Sequence, residues 1–194
     1  MHEIIQWGGI AIIIIFVYIE TGFLVGLIVP GGETLLFSAG LLTAVQTLNF
    51  PLWLLIPLLI IAGFSGDCTG YWLGKKLGSR LHKKKDTLLF KRKHLEKAED
   101  FYRKHKKTAL IIGRFLPIIR TFNPLISGSS KMDLKQFIPY TAIGTLLYIT
   151  TLVLAGYLLG SIFPSLGSYV EYIFLGVAVT VIIVMIYNLR KTVG

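Results

Sequence analysis

The sequence has one cysteine, four histidines and few charged residues, and each shortage excludes a class of protein. A single cysteine, Cys68, cannot form the internal disulfide framework that stabilises small secreted domains. The histidines and this cysteine show no spacing that is typical of a metal site. We therefore expect neither a bound metal nor another cofactor.

Charged residues make up only 15% of the 194 residues, below the ~25% of typical soluble domains. Hydrophobic residues make up 54%, and the mean hydropathy is +0.69. A soluble chain of this composition would present little polar surface to water. The composition therefore predicts an all-α integral membrane protein, with residues 1–194 forming one membrane domain.

The net charge of +10 is concentrated in one segment, residues 75–107, which holds 14 Lys/Arg against four Asp/Glu. The rest of the chain holds six residues of each sign. A basic segment between apolar ones argues against a nucleic-acid partner and indicates a cytoplasmic loop that contacts anionic headgroups. Leu95, Ala98, Phe101 and Tyr102 recur at helical spacing, which predicts an amphipathic helix on the inner membrane surface.

Apolar segments long enough, or nearly so, to cross a bilayer occur at residues 4–19, 52–74, 136–160 and 169–189. Trp53 and the pair Tyr71–Trp72 flank the second segment, as interfacial aromatic residues do. Two other apolar segments, 20–48 and 108–130, are interrupted by glycine and proline and carry charges. We expect each to be a broken helical hairpin.

The distribution of positive charge constrains the topology. The basic loop and Arg190–Lys191 are both expected inside, and the spans 136–160 and 169–189 lie between them. Residues 108–130 should therefore enter and leave the membrane from the cytoplasm as a re-entrant hairpin. By the same logic, 20–48 would be a hairpin that opens outward, with the N-terminus inside. Residues 20–74 and 108–160 then form an inverted repeat.

The motif "VPGGETLLFSAG" after Glu20, followed by "GRFLPIIRTFNPLISG", resembles the DedA family of the SNARE-associated Golgi or VTT domain superfamily. The resemblance covers about residues 10–165. It implies a multi-pass protein of the bacterial inner membrane, with paired re-entrant hairpins and transport activity. Family members are linked to translocation of undecaprenyl phosphate, to phospholipid scrambling or to proton-dependent resistance. Four matching positions correspond to the charged residues that family members depend on: Glu20, Glu33, Arg114 and Arg120.

These charged residues predict a polar pocket between the hairpins, because charge at membrane depth costs several kcal/mol unless it is paired or hydrated. We expect Arg114 and Arg120 to bind a lipid phosphate through their planar guanidinium groups. Glu20 and Glu33 are expected to exchange protons or to form ion pairs. Asp67 either lies among the cytoplasmic headgroups or faces the same pocket. Residues expected to shape the hairpins are Pro30, Gly31, Gly32, Gly113, Pro117 and Pro124.

The leading hypothesis is a flippase for a lipid phosphate, specifically undecaprenyl phosphate, and a further hypothesis couples this transport to protons. The alternatives are a general phospholipid scramblase, a proton-dependent small-molecule exporter and a structural assembly factor. In the structural alternative, the arginines only join the hairpins through ion pairs. A lipid phosphatase is disfavoured because no histidine lies in either hairpin and no acidic metal motif is present. We therefore expect a protein that is not an enzyme.

Overall fold

The computed structural model describes residues 2–23, 32–77, 92–105, 108–166 and 169, and within them every regular element is helical. Seven α-helices follow in order: α1 His2–Gly22, α2 Gly32–Ala44, α3 Leu52–Leu77, α4 Arg92–His105, α5 Ala109–Ile112, α6 Pro117–Ser129 and α7 Leu134–Ile162. Short 3₁₀ helices occupy Gly113–Phe115 and Pro164–Leu166. The all-helical prediction is confirmed for this part of the chain.

Two of these helices, α3 and α7, are long and apolar enough to cross a membrane. Helix α3 contains the predicted span 52–74 and extends beyond its C-terminal end. Helix α7 contains the predicted span 136–160 and extends beyond both of its ends. Helix α1 begins before the predicted span 4–19 and includes Glu20 in its last turn. The fourth predicted span, 169–189, lies almost wholly outside the described residues, as do Pro30, Gly31 and residues 78–91.

The two halves of the chain pack reciprocally. Helix α2, from the first broken segment, packs against α7, and α6, from the second, packs against α3. Glycines allow backbone-to-backbone contact: a Cβ on Gly156 would lie 1.9 Å from the carbonyl oxygen of Phe37, and one on Gly128 would lie 1.9 Å from that of Tyr71. Small residues at such crossings are typical of helix packing in membranes. Each broken segment thus packs on the long helix of the other half, as expected for an inverted repeat. That the hairpins are re-entrant stays a prediction.

The second broken segment is interrupted at one place. The 3₁₀ turn that starts at Gly113 ends at Leu116, whose backbone is extended with φ −110° and ψ 110°, and Pro117 then begins α6. The prediction that Pro124 also breaks the helix is wrong, because α6 continues through it to Ser129. A proline removes only one backbone hydrogen bond, and its ring here packs on α3, where a Cβ at Gly70 would lie 3.1 Å from it.

Two predictions about the surface of the bundle need correction. Tyr71 is buried within the bundle rather than exposed at its surface, because its ring packs on Phe137 with 4.4 Å between centroids. Its neighbour Trp72 is exposed, as predicted. The apolar face of α4 does not simply lie on the membrane surface: Ala98 is 1% exposed and belongs to the same buried cluster as Phe122 of α6. Helix α4 is therefore docked on the second broken segment.

Candidate functional site

Two groups of charged residues, most of them buried, lie near the middle of the bundle. Tyr148, which contacts one of them, is about 21 Å from each end of α7 at ~1.5 Å per residue. Asp67, in the other, is about 15 Å from the C-terminal end of α3 by the same measure. Both groups are therefore remote from either end of the two long helices.

The first group, which we call the Asp67 cluster, consists of Asp67, Arg114 and Thr145. The guanidinium of Arg114 donates to Oδ2 of Asp67, and Thr145 Oγ1 donates to the same oxygen at 3.2 Å. The side chains of Arg114 and Asp67 are only 7% and 2% exposed. Gly144 leaves room for the arginine, because a Cβ there would lie 3.0 Å from its Cδ. This cluster joins the second broken segment to both long helices and is closed to solvent.

The second group, which we call the Arg120 cluster, consists of Arg120, Glu20, Glu33 and Tyr148. Arg120 Nη2 lies 2.9 Å from Glu20 Oε1, and its Nη1 lies 3.0 Å from Glu33 Oε1. Nη1 also donates to the Tyr148 hydroxyl, and the Cζ of Arg120 lies 5.2 Å from the Tyr148 ring centroid. This distance allows a cation–π interaction. The Glu33 side chain is 40% exposed, so this cluster has an outer side.

The N-terminus of α2 completes the environment of Glu20. The backbone N–H of Gly32, the first residue of α2, donates to the Glu20 carboxylate. A Cβ on Gly32 would lie 1.5 Å from Glu20 Oε2, so any side chain here would displace the carboxylate. Free N–H groups at a helix N-terminus favour an anion. Glu20 thus occupies an anion-binding position formed by Arg120 and the start of α2.

A cavity of about 30 Å³ lies between the two clusters. Residues of both line it, including Glu20, Gly32, Arg114, Arg120 and Tyr148. This volume holds about two water molecules and no phosphate headgroup. In this conformation the cavity is therefore too small for the phosphate headgroup that Arg114 and Arg120 are expected to bind, because the carboxylates of the chain itself fill the position next to Arg120.

The sequence-predicted site residues are distributed over both clusters. Arg120 contacts both predicted glutamates, whereas Arg114 pairs with Asp67 instead. The sequence reasoning missed Thr145 and Tyr148, although polar side chains three residues apart in an apolar span were a signal for them. Within the described ranges, no three His, Cys, Asp or Glu side chains are grouped to hold a metal ion.

These features define a class: helical membrane proteins with acid–arginine pairs buried between broken segments and long apolar helices. Residues 28–158 match the VTT domain family. The chain is 34% identical to Protein DedA of Escherichia coli (strain K12) over 173 residues, which cover 89% of this chain and 78% of that one. The chain belongs to the DedA family of VTT-domain membrane proteins.

Other relatives extend the similarity to distant bacteria. An uncharacterized membrane protein of Mycobacterium leprae (strain TN) is 34% identical over 164 residues, covering 84% of this chain and 72% of its own length. The inner membrane protein YqjA of Escherichia coli (strain K12) is 29% identical over 149 residues, covering 77% and 66%. No solved structure matches the chain.

Proposed function

We propose that this protein is a multi-pass transporter of the bacterial inner membrane that translocates a lipid phosphate, with undecaprenyl phosphate as the substrate. The observation that carries the proposal is the Arg120 cluster. A guanidinium lies midway along the helices, and its ligands are carboxylates of the chain itself. A buried arginine whose anion can be exchanged is what recognition of a phosphate within a bilayer requires.

The ligands of Glu20 suit a phosphate as well as a carboxylate. Arg120 offers a planar fork of N–H donors, Gly32 offers a backbone N–H, and the Tyr148 hydroxyl lies beside the same guanidinium. In this conformation the oxygens of Glu20 stand in for phosphate oxygens. Substrate binding therefore means that a lipid phosphate takes the place of a carboxylate, and that Glu20 moves away.

The charge balance of the cluster suggests how this exchange is driven. Two carboxylates face one guanidinium, so the cluster has one acid more than base. Uptake of a proton by Glu20 removes that surplus and weakens its hold on Arg120. The phosphate then competes for the guanidinium, and loss of the proton restores the ion pair and expels the substrate. This is proton coupling at the Arg120 cluster.

Arg114 has a different role in this proposal from the direct phosphate binding that the sequence suggested. Its partner Asp67 is buried, and Thr145 donates to the same carboxylate oxygen. Releasing Arg114 would leave an unpaired carboxylate in an apolar interior, at a cost of about 3–5 kcal/mol. We therefore assign Arg114 a structural role in the site, and we assign substrate binding to Arg120.

The cavity must enlarge before a headgroup enters. Glu20 and Glu33 belong to the first half of the chain and Arg120 to the second. Separation of the halves at these ion pairs would therefore open the site, as expected for inverted repeats that alternate access. Exposed apolar residues of the second broken segment, Phe115 and Leu116, would border the opening and allow the lipid tail to remain in the bilayer.

The test is reconstitution in vesicles with labelled lipids. Wild-type protein should translocate undecaprenyl phosphate and leave phosphatidylethanolamine in place. Arg120→Gln should abolish this movement, whereas Arg103→Gln, which removes the same charge from an exposed ion pair on α4, should not. Movement of both lipids would indicate a scramblase. Movement of neither lipid, with efflux of small molecules driven by a proton gradient, would indicate an exporter, and chemical conversion of the lipid would indicate an enzyme.

A further inference from the structure

A second candidate site lies away from the Arg120 cluster, at the C-terminal end of α3. It is a groove of about 470 Å³ between the last turn of α3 and the turn that joins α6 to α7. The residues that line it are Tyr71, Lys75, Lys131, Met132, Asp133 and Leu134. None of them lines the cavity beside Arg120.

The depth of the groove is indicated by the residues around it. Trp72, next to Tyr71 in the chain, is 66% exposed, and the Nζ of Lys76 lies 5.7 Å from its ring centroid. An exposed tryptophan with lysines at the end of a spanning helix is typical of the membrane interface. The groove therefore opens at the level of the lipid phosphates, on the side where the basic residues are concentrated.

The walls of the groove are held in a fixed arrangement. Gly128 of α6 packs directly on the carbonyl of Tyr71, and the Tyr71 hydroxyl donates to the carbonyl oxygen of Met132. The N–H of Lys131 donates to the carbonyl oxygen of Gly128 at 3.0 Å. These contacts fix the α6–α7 turn against the end of α3. Lys75 and Lys131 are consequently presented from a rigid frame rather than from a loose loop.

Lys131 occupies an unfavourable backbone position. Its φ is 54°, a left-handed conformation that glycine and asparagine adopt far more readily than residues with long side chains. Replacement by glycine would relieve this conformation. The presence of a lysine at a position that favours glycine is the kind of outlier that motivates a functional explanation.

The charges of the groove suit a phosphodiester. Lys75 and Lys131 are exposed, and the one carboxylate in the lining, that of Asp133, accepts the N–H of Lys135 at 3.0 Å and caps α7. Two lysines and one carboxylate leave the groove with a net positive charge. Leu134 is 46% exposed and adds an apolar wall. We propose that this groove binds the headgroup of an anionic phospholipid as a resident lipid, with its phosphate at Lys75 and Lys131 and its acyl chains beside Leu134.

The test is native mass spectrometry of the full chain in detergent, titrated with phosphatidylglycerol or phosphatidylcholine. The groove variant is Lys75→Ala/Lys131→Ala. The control is Lys97→Ala/Lys104→Ala, which removes the same charge from exposed positions on α4. We expect phosphatidylglycerol to bind about tenfold more weakly to the groove variant and within about twofold of wild type to the control. Binding of phosphatidylcholine should not change.

A second variant separates binding from folding. Lys131→Gly should weaken phosphatidylglycerol binding while leaving the lipid-free unfolding temperature unchanged or higher, because glycine tolerates this φ. Equal losses in the groove and control variants, or no loss in either, would overturn the proposal. Competition by soluble glycerol phosphate at the same concentration would reassign the groove to free anions. Since no transport is measured, these outcomes leave the role of Arg120 untouched.

Discussion

The Asp67 cluster and the Arg120 cluster contain the same kind of ion pair in different surroundings. Arg114 and Asp67 are 7% and 2% exposed, form a one-to-one pair and share Thr145. Arg120 faces two carboxylates, one of them 40% exposed, and a tyrosine hydroxyl. Both arginines come from one short segment and line one cavity. The difference therefore lies in the number of competing partners and in access to solvent.

This contrast separates a structural pair from an exchangeable one. A buried pair with no surplus charge is costly to break, because either partner alone would remain as an unpaired ion in an apolar interior. A cluster with a surplus carboxylate and an exposed side can change its protonation and its partners at a lower cost. We therefore expect the two arginines of the DedA-type motif to have distinct roles, although the sequence presents them as equivalent.

The largest expected effect is on the Asp67 cluster. Asp67→Ala leaves Arg114 unpaired and should lower the free energy of unfolding by about 3–5 kcal/mol, measured by denaturant unfolding in mild detergent. The double variant Asp67→Leu/Arg114→Met removes both charges and should recover most of that loss. Asp100→Ala, which breaks the exposed pair with Arg103, is the control and should cost less than about 1 kcal/mol. An equal cost for Asp67→Ala and Asp100→Ala would contradict a closed, structural pair.

Next in size is the effect of Arg120 on ligand binding. Arg120→Gln removes two charge-assisted hydrogen bonds to a phosphate and should weaken binding of undecaprenyl phosphate by roughly 100-fold. Arg120→Lys keeps the charge without the planar fork and should lie between this variant and wild type. Equilibrium binding in nanodiscs measures both, with Arg103→Gln as the matched control. Retention of wild-type affinity by Arg120→Gln would remove Arg120 from the site.

The pH dependence of binding should follow the charge of the Arg120 cluster. In wild-type protein, acidification adds a proton to the Arg120 cluster, so binding of the lipid phosphate should tighten as the pH falls. Glu20→Gln should bind well at every pH and lose most of that dependence. Glu33→Gln should lose less, because its side chain is 40% exposed and its ion pair is weaker. If both variants keep the wild-type pH profile, the exchange of carboxylate for phosphate is not the coupling step.

The smallest effect is expected at Tyr148. Tyr148→Phe keeps the ring near the Arg120 guanidinium but removes its hydroxyl acceptor, and should lower the free energy of unfolding by about 1 kcal/mol. Tyr157→Phe, on the same helix but outside the cavity lining, is the control. A double-mutant cycle with Arg120→Gln measures the coupling. Additive effects of the two substitutions would mean that Tyr148 does not hold Arg120.

Much of the fold followed from local features of the sequence. Hydropathy and length predicted helices α3 and α7, and the glycine and proline positions predicted a break before α6. Helix α6 nevertheless passes through Pro124, because tertiary packing against Gly70 tolerates the loss of one hydrogen bond. The same kind of packing buried Tyr71, which the sequence alone predicted to lie at the surface of the bundle.

The residues of the site could be predicted from the sequence, but the ion pairs that they form could not. Charges in broken apolar segments identified Glu20, Glu33, Arg114 and Arg120. Arg114 pairs with Asp67 because of the position along α3 at which the second broken segment packs. Backbone contacts at Gly74 and Gly128 fix that position. Tyr148 stands out as a polar residue three positions from Thr145 in an apolar span, but only the fold shows that it contacts Arg120. Such relationships arise only from three-dimensional packing.

The most direct measurement is the affinity for undecaprenyl phosphate of two variants that each lose one arginine, compared in nanodiscs of one composition. Asp67→Leu/Arg114→Met removes the buried ion pair of the Asp67 cluster, and Arg120→Gln removes the ion pairs of the Arg120 cluster. We predict that the first variant binds within a few-fold of wild type and that the second binds roughly 100-fold more weakly. Loss of binding in the first with retention in the second would reverse the assignment of the two arginines and contradict this account.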